Sequence, residues 1–143
     1  MVFVRVYWMT TNEEKAKEFL VSFVRARRRE VSLRAALGQC GPESDAAMKK
    51  QLEEEIAASV AARDRICQAA NRLPGAQRDV IVERYLSPAP IKIGKLIVGW
   101  RLKSWEEIAE TWGYTRRHML RLHKAALREI SSQEAVLSFS GKP

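Results

Sequence analysis

The sequence predicts an all-α fold, and three observations carry that reading. Apolar side chains recur at three- and four-residue intervals through two long stretches, roughly residues 11–37 and 45–71. Breakers separate the two stretches at Gly38–Pro42 and close the second at Leu73-Pro74-Gly75. Beyond residue 100, two short segments with helix-start signals flank a single glycine, Gly113. The chain is therefore expected to divide into an N-terminal antiparallel helical hairpin over 11–72 and a bundle of shorter helices over 73–132.

Thr11 and Asn12, followed by Glu13 and Glu14, supply a cap and acids suited to the positive end of a helix dipole, so the first helix is expected to begin there. Phe19, Leu20, Phe23 and Val24 form its apolar stripe, and it is expected to reach about Leu37. Arg25, Arg27, Arg28 and Arg29 form a basic patch on it, whose default reading is a solvated face, with a flanking DNA contact as the alternative. Ser44 and Asp45 can cap the second helix, with Met48, Leu52, Ile56, Val60 and Ile66 along one side. Both stripes are thin and alanine-rich, so the pair needs a further surface to bury against.

A third helix is expected over Ala76–Leu86, with Val80, Ile81, Arg84 and Tyr85 on one side. Pro88 and Pro90 then stop it. Ile91-Lys92-Ile93 and Leu96-Ile97-Val98 flank Gly94-Lys95, a Gly-X turn that suits a small β-hairpin at 90–100, with an irregular linker as the alternative. The tail after Ile130, ending Ser-Gly-Lys-Pro, is expected to fray.

Ser104 and Glu107 have capping-box spacing, so a helix should start there with Trp105, Ile108, Ala109 and Trp112 on its buried side. Small Ala109 lets another helix cross close by. Gly113 suits the left-handed backbone of a helix stop, and Tyr114 is expected to pack into the corner. Thr115 caps the next helix, whose buried stripe is Met119, Leu122, Ala126, Leu127 and Ile130. Its other face carries Arg116, Arg117, His118, Arg121, Lys124 and Arg128, and no acid occurs from Gly113 to Arg128. Leu120 projects toward that exposed side.

This is the pattern of a helix-turn-helix, and its second helix opens against a local rule. A helix N-terminus carries partial positive charge, so Arg116 and Arg117 cost a few tenths to about 1 kcal/mol each relative to Asp or Glu. Such violations concentrate at functional sites. A phosphate backbone placed there would reverse the sign of the cost, helped by the free N–H groups of the first turn. With 25 Lys+Arg against 17 Asp+Glu and a formal charge of +8 over 143 residues, the chain favours acidic partners, double-stranded DNA before a membrane surface. Phosphate contacts fall to Arg116, Lys124 and Arg128, and groove contacts to Arg117, His118 and Arg121.

Other functions find less support in the residues. No apolar run approaches the roughly 20 residues of a membrane span. Residues 2–8 are apolar but interrupted by Arg5 with no basic segment before them, which disfavours a secretory signal and leaves Met9 as an alternative start. Cys40 and Cys67 stand alone and read as free thiols in a reducing cytoplasm. His118 and His123 are five apart on different helical faces, so no metal site is expected. Paired carboxylates, a nucleophile–base set and a phosphate-cradling glycine loop are all missing, so neither an enzyme nor a cofactor is expected.

Leu73-Pro74 through Arg84-Tyr85, then Ser104-Trp-Glu-Glu-Ile-Ala and Gly113-Tyr-Thr-Arg, resemble region 4 of bacterial sigma factors. The likeness is closer to the phage-encoded sigma-like activators of late genes, the RinA and ArpU type, which also place helices before a terminal helix-turn-helix. It covers roughly residues 73–130 and rests mainly on Ile108-Ala109, Gly113, Thr115-Arg116 and Ala126-Leu127. The resemblance implies that Thr115, Arg116, Arg117, His118 and Arg121 read promoter DNA, with RNA polymerase as a further partner. Two departures stand out. The Ser87–Lys103 segment is inserted where the family has a few residues, and Arg117 occupies a commonly acidic position. Nothing resembles the sigma region that binds the minus-ten element.

The function expected is a phage-derived transcriptional regulator, with the N-terminal helices forming a homodimer. Its rivals are a terminase small subunit recognising DNA for packaging, and a module that binds polymerase without DNA.

Overall fold

A computed structural model describes residues 2–43 and 45–139. It is mostly helical, as expected, with one small antiparallel sheet where the β-hairpin at 90–100 was one of the two expected outcomes. Helix α1 (Val2–Gly38) and helix α2 (Ala46–Asn71) form the long N-terminal pair. Helix α3 (Gly75–Ile81) widens into a π-helical turn over Val82–Leu86 before Pro88. Strands β1 (Ala89–Ile93) and β2 (Leu96–Arg101) follow, then α4 (Trp105–Trp112), α5 (Arg116–Ser131) and the short α6 (Glu134–Leu137).

The start of α1 differs from expectation. The helix runs through Thr11 and Asn12 without a break, so Glu13 and Glu14 are interior and cap nothing. No glycine or proline precedes Gly38 in the chain, and a cap acts only where the backbone leaves the helix. At 37 residues α1 is about 55 Å long. The caps of α2 are clearer: Asp45 accepts a hydrogen bond from Ala47 N at 2.9 Å, while Ser44 lies outside the described residues.

Ala16, Phe19, Leu20 and Phe23 of α1 are buried with Ile66, Ala69 and Ala70 of α2. The surface that completes this core comes from the C-terminal half: Ile81 and Tyr85, then Ala126, Leu127 and Ile130 of α5. That arrangement answers the thinness of the two stripes, because α5 packs against α1 and adds its apolar side chains to the cluster that the pair begins. Toward the connecting loop the described residues of the pair, 25–43 and 45–55, are exposed or half-buried. Met48, expected in the stripe, is there exposed, and charges clamp the helices instead. Glu30 joins Arg63 at 2.5 Å and Arg34 at 2.9 Å.

The chain after Ile130 is not a frayed tail. Val136 is fully buried, and the Phe139 ring meets Phe19 edge-on at 5.6 Å. Gln133 Nε2 donates to Ala69 O and Lys15 Nζ to Leu137 O, each at 3.0 Å. These contacts lid the hairpin core; residues 140–143 lie outside the described residues. Among the described residues no helix is long and apolar enough to cross a membrane. Cys40 and Cys67 are free thiols.

The proline-rich insertion forms a β-hairpin. Ala89 pairs with Arg101, Ile91 with Gly99 and Ile93 with Leu96, and an irregularity beside Ile91/Lys92 leaves Val98 as an extra residue. Gly94 opens the turn at φ 63°, a backbone that glycine adopts without strain.

Candidate nucleic-acid interface

Helices α4 and α5 form a unit whose local chemistry can be followed bond by bond. Ser104 Oγ accepts from Glu107 N at 3.2 Å, and the Glu107 carboxylate accepts from Ser104 N at 3.4 Å, a complete capping box. The same carboxylate holds Arg101 at 2.8 Å, which keeps it below the ordinary glutamate range. Gly113 ends α4 in the left-handed region (φ 69°, ψ 26°), and Tyr114 N returns to Ala109 O at 3.0 Å. Thr115 Oγ1 then accepts from His118 N at 3.1 Å and starts α5.

No neighbouring atom approaches the position that a Cβ on Gly113 would take, so only backbone strain opposes a side chain there. Gly113→Ala is therefore expected to lower stability by about 1–2 kcal/mol, read as a shifted urea midpoint. Loss of much more would mean the turn has a packing role.

Between the two helices lies a small apolar cluster of Val80, Ile108 and Met119, flanked by Trp105, Ala109 and Leu122. Leu122, expected within the stripe, is only half-buried. Trp112 departs further: it is 40% exposed. The chain leaves at Gly113 and α5 crosses at Ile108, so the last turn of α4 is uncovered. Tyr114 is likewise on the surface, its ring edge-on to His118 at 4.9 Å.

The outward face of α5 is exposed throughout. Thr115, Arg116, Arg117, His118, Arg121, Lys124 and Arg128 all reach solvent, with Leu120 among them. Arg116 alone of these meets a carboxylate among the described residues, Glu106 at 3.1 Å, in a pair that is about two-thirds exposed on each side. A solvent-exposed bridge of this kind is worth about 0–1 kcal/mol, so a phosphate can compete for the guanidinium. Arg117, Arg121, Lys124 and Arg128 pair with no carboxylate among the described residues. The N–H groups of Arg116 and Arg117 open the helix without a cap. From Thr115 to Arg128 this helix thus offers positive charge, donors and a helix N-terminus with no acid, and Glu129 follows at its exposed C-terminal end.

Behind that face is a buried polar pair that the sequence reading missed. His123 is 7% exposed, and its Nε2 shares a hydrogen bond of 2.6 Å with Tyr85 Oη. The Trp105 ring stands edge-on to His123 at 4.6 Å, and the Arg84 guanidinium lies 4.7 Å from Trp105. Arg84 also donates to the Lys103 carbonyl. Burial, reinforced by the charges of Lys17 and Arg84, pushes the imidazole down to about 4. Burial pushes the Tyr85 phenol up to about 12, against the lowering effect of Arg84. Both groups are therefore neutral at pH 7, and they pin α5 to the π-helical turn. His123 lies four residues from both Met119 and Leu127, a spacing that puts it within the buried stripe.

Comparison of the chain with protein-family models, with curated proteins and with solved structures returns no match.

Proposed function

We propose that the chain is a sequence-specific DNA-binding transcriptional regulator, with α4 and α5 acting as a helix-turn-helix and α5 as the helix that enters the major groove. One observation carries this reading. The exposed face of α5 from Thr115 to Arg128 bears five Lys or Arg side chains and no acid, beginning at the helix end where cations are least at ease. DNA phosphates supply the missing counter-charge.

On this reading Arg116, Lys124 and Arg128 touch phosphates and fix the register, while Arg117, His118 and Arg121 reach base edges. Arginine is well suited to the two acceptors of guanine. Thr115 keeps its cap and turns its backbone toward the nearest phosphate. The likeness of residues 73–130 to sigma region 4 supports a role beside RNA polymerase at a promoter, as in a phage-derived activator. A dimer through the N-terminal helices would then place two half-sites about one helical turn apart.

Affinity for duplex DNA measured across salt tests the reading. With about four to six phosphates neutralised, log K should fall against log salt with a slope near −4 to −5. A flat dependence overturns it.

A further inference from the structure

The inserted hairpin is the least covered apolar element among the described residues. Ile93 and Leu96 face each other across its tip at 71% and 67% exposed, and Ile91, Ile97, Val98 and Trp100 are exposed along its length. Six large apolar side chains on a two-stranded ribbon require a partner, since such a ribbon has no second layer of its own.

Charge narrows the choice of partner. The 17 residues from Ser87 to Lys103 contain no acid. Its cations fall into two groups. Arg101 and Lys103 at the base are held by Glu107 and Glu83, each at 2.8 Å. Lys92 and Lys95, near the tip, pair with no carboxylate among the described residues. Two apolar side chains at a tip flanked by free lysines suit a polyanion with a hydrophobic interior, and they suit a second copy of this +8 chain poorly.

The base of the hairpin is tied to the same turn of α4 that meets the start of α5. Arg101 of β2 bridges to Glu107, and Arg116 of α5 bridges to the adjacent Glu106. The Trp100 ring lies 5.9 Å from the Arg27 guanidinium, which brings the other side of the base beside α1. From there five residues of strand span about 17 Å. With α5 in the major groove, the next minor groove begins about half a helical turn away, a distance of similar size.

We infer that this hairpin is a second DNA-contacting element, which lays Lys92 and Lys95 on the backbone and wedges Ile93 and Leu96 between base pairs of the minor groove beside the α5 site. The inference rests on the DNA-binding reading proposed above. Apolar wedges of this kind unstack a base step and bend the duplex, and the bend brings more backbone against the protein.

The test uses the full chain and a duplex of about 30 base pairs with central TA steps, which kink readily, carrying a fluorophore at each end. Wild-type protein should raise energy transfer between the ends. Ile93→Ser/Leu96→Ser should return the transfer to that of free DNA and weaken binding about tenfold, with the salt slope unchanged. Lys92→Gln/Lys95→Gln should make the slope shallower by nearly two, at about 0.9 per phosphate. All four side chains are exposed, so the melting of both variants should match wild type. If wild type binds with a steep salt slope and both variants equal it, the hairpin inference falls and the α5 reading stands. A flat wild-type slope removes both. If the serine variant instead lowers the mass of the protein in solution while bending persists, the hairpin joins protein copies and the inference is overturned.

Discussion

Replacing Arg117 and Arg121 together by alanine is expected to weaken binding to a selected DNA site by about 2–6 kcal/mol, from about 1–3 for each bidentate contact to a base. Stability should move the other way. Both side chains are exposed and pair with no carboxylate among the described residues, so nothing in the fold depends on them. Removing Arg117 also relieves a charge at the positive end of α5, worth a few tenths of a kcal/mol, and alanine is a better helix former than arginine. Weaker binding from a protein that melts at the same or a higher temperature would locate the loss in recognition rather than folding. Lys124→Ala is the comparison. A phosphate contact should weaken all sequences alike and reduce the salt slope by about 0.9. Arg116→Ala should do least, since part of its charge is already spent on Glu106. Identical behaviour of the Arg117/Arg121 and Lys124 variants would overturn the division between groove and backbone contacts.

The α4–α5 unit was legible because its signals are local. A capping box, a glycine stop and a second cap each act within four residues, and each forms the bond its residue types permit. The hairpin turn at Gly94-Lys95 belongs to the same class. What the sequence hid depends on contacts between distant segments. Trp112 shares a helical face with Ile108, and only the crossing point of α5 decides that one is covered and the other is not. Val136 and Phe139 look like a frayed end until α1 and α2 leave an open core that they close. The start of α1 failed for another reason: Thr11-Asn12-Glu13-Glu14 has the residue types of a cap, but nothing before it breaks the helix. His123 was missed because histidine is only intermediate in its tendency to be buried, so its type does not mark it as core, although its spacing from Met119 and Leu127 places it inside.

Acid should loosen this protein over a defined window, and His123 is the reason. In the unfolded chain the imidazole takes up its proton near pH 6.5, whereas in the fold burial, with Lys17 and Arg84 adding to it, holds that event down to about 4. Between those values the unfolded state binds the extra proton, so stability rises with pH. The contribution is present in full above pH 6.5 and is lost as pH falls toward 4, amounting to about 3 kcal/mol. Urea unfolding at pH 7.5, 5.5 and 4 should show it, and the ring resonance of His123 should titrate near the low end of the range. Replacing the pair by Tyr85→Phe/His123→Leu removes both hydrogen-bonding groups at once, so neither is left buried and unpaired. That variant should keep most of its stability at pH 7.5 and lose much less than wild type on acidification. Because the pair ties α5 to the π-helical turn, DNA affinity in wild type should drop in the same acid window, while the double variant holds its affinity longer. A His123 resonance titrating near 6.5, or equal acid losses in the two proteins, would mean that the pair is solvated in solution and does not anchor α5.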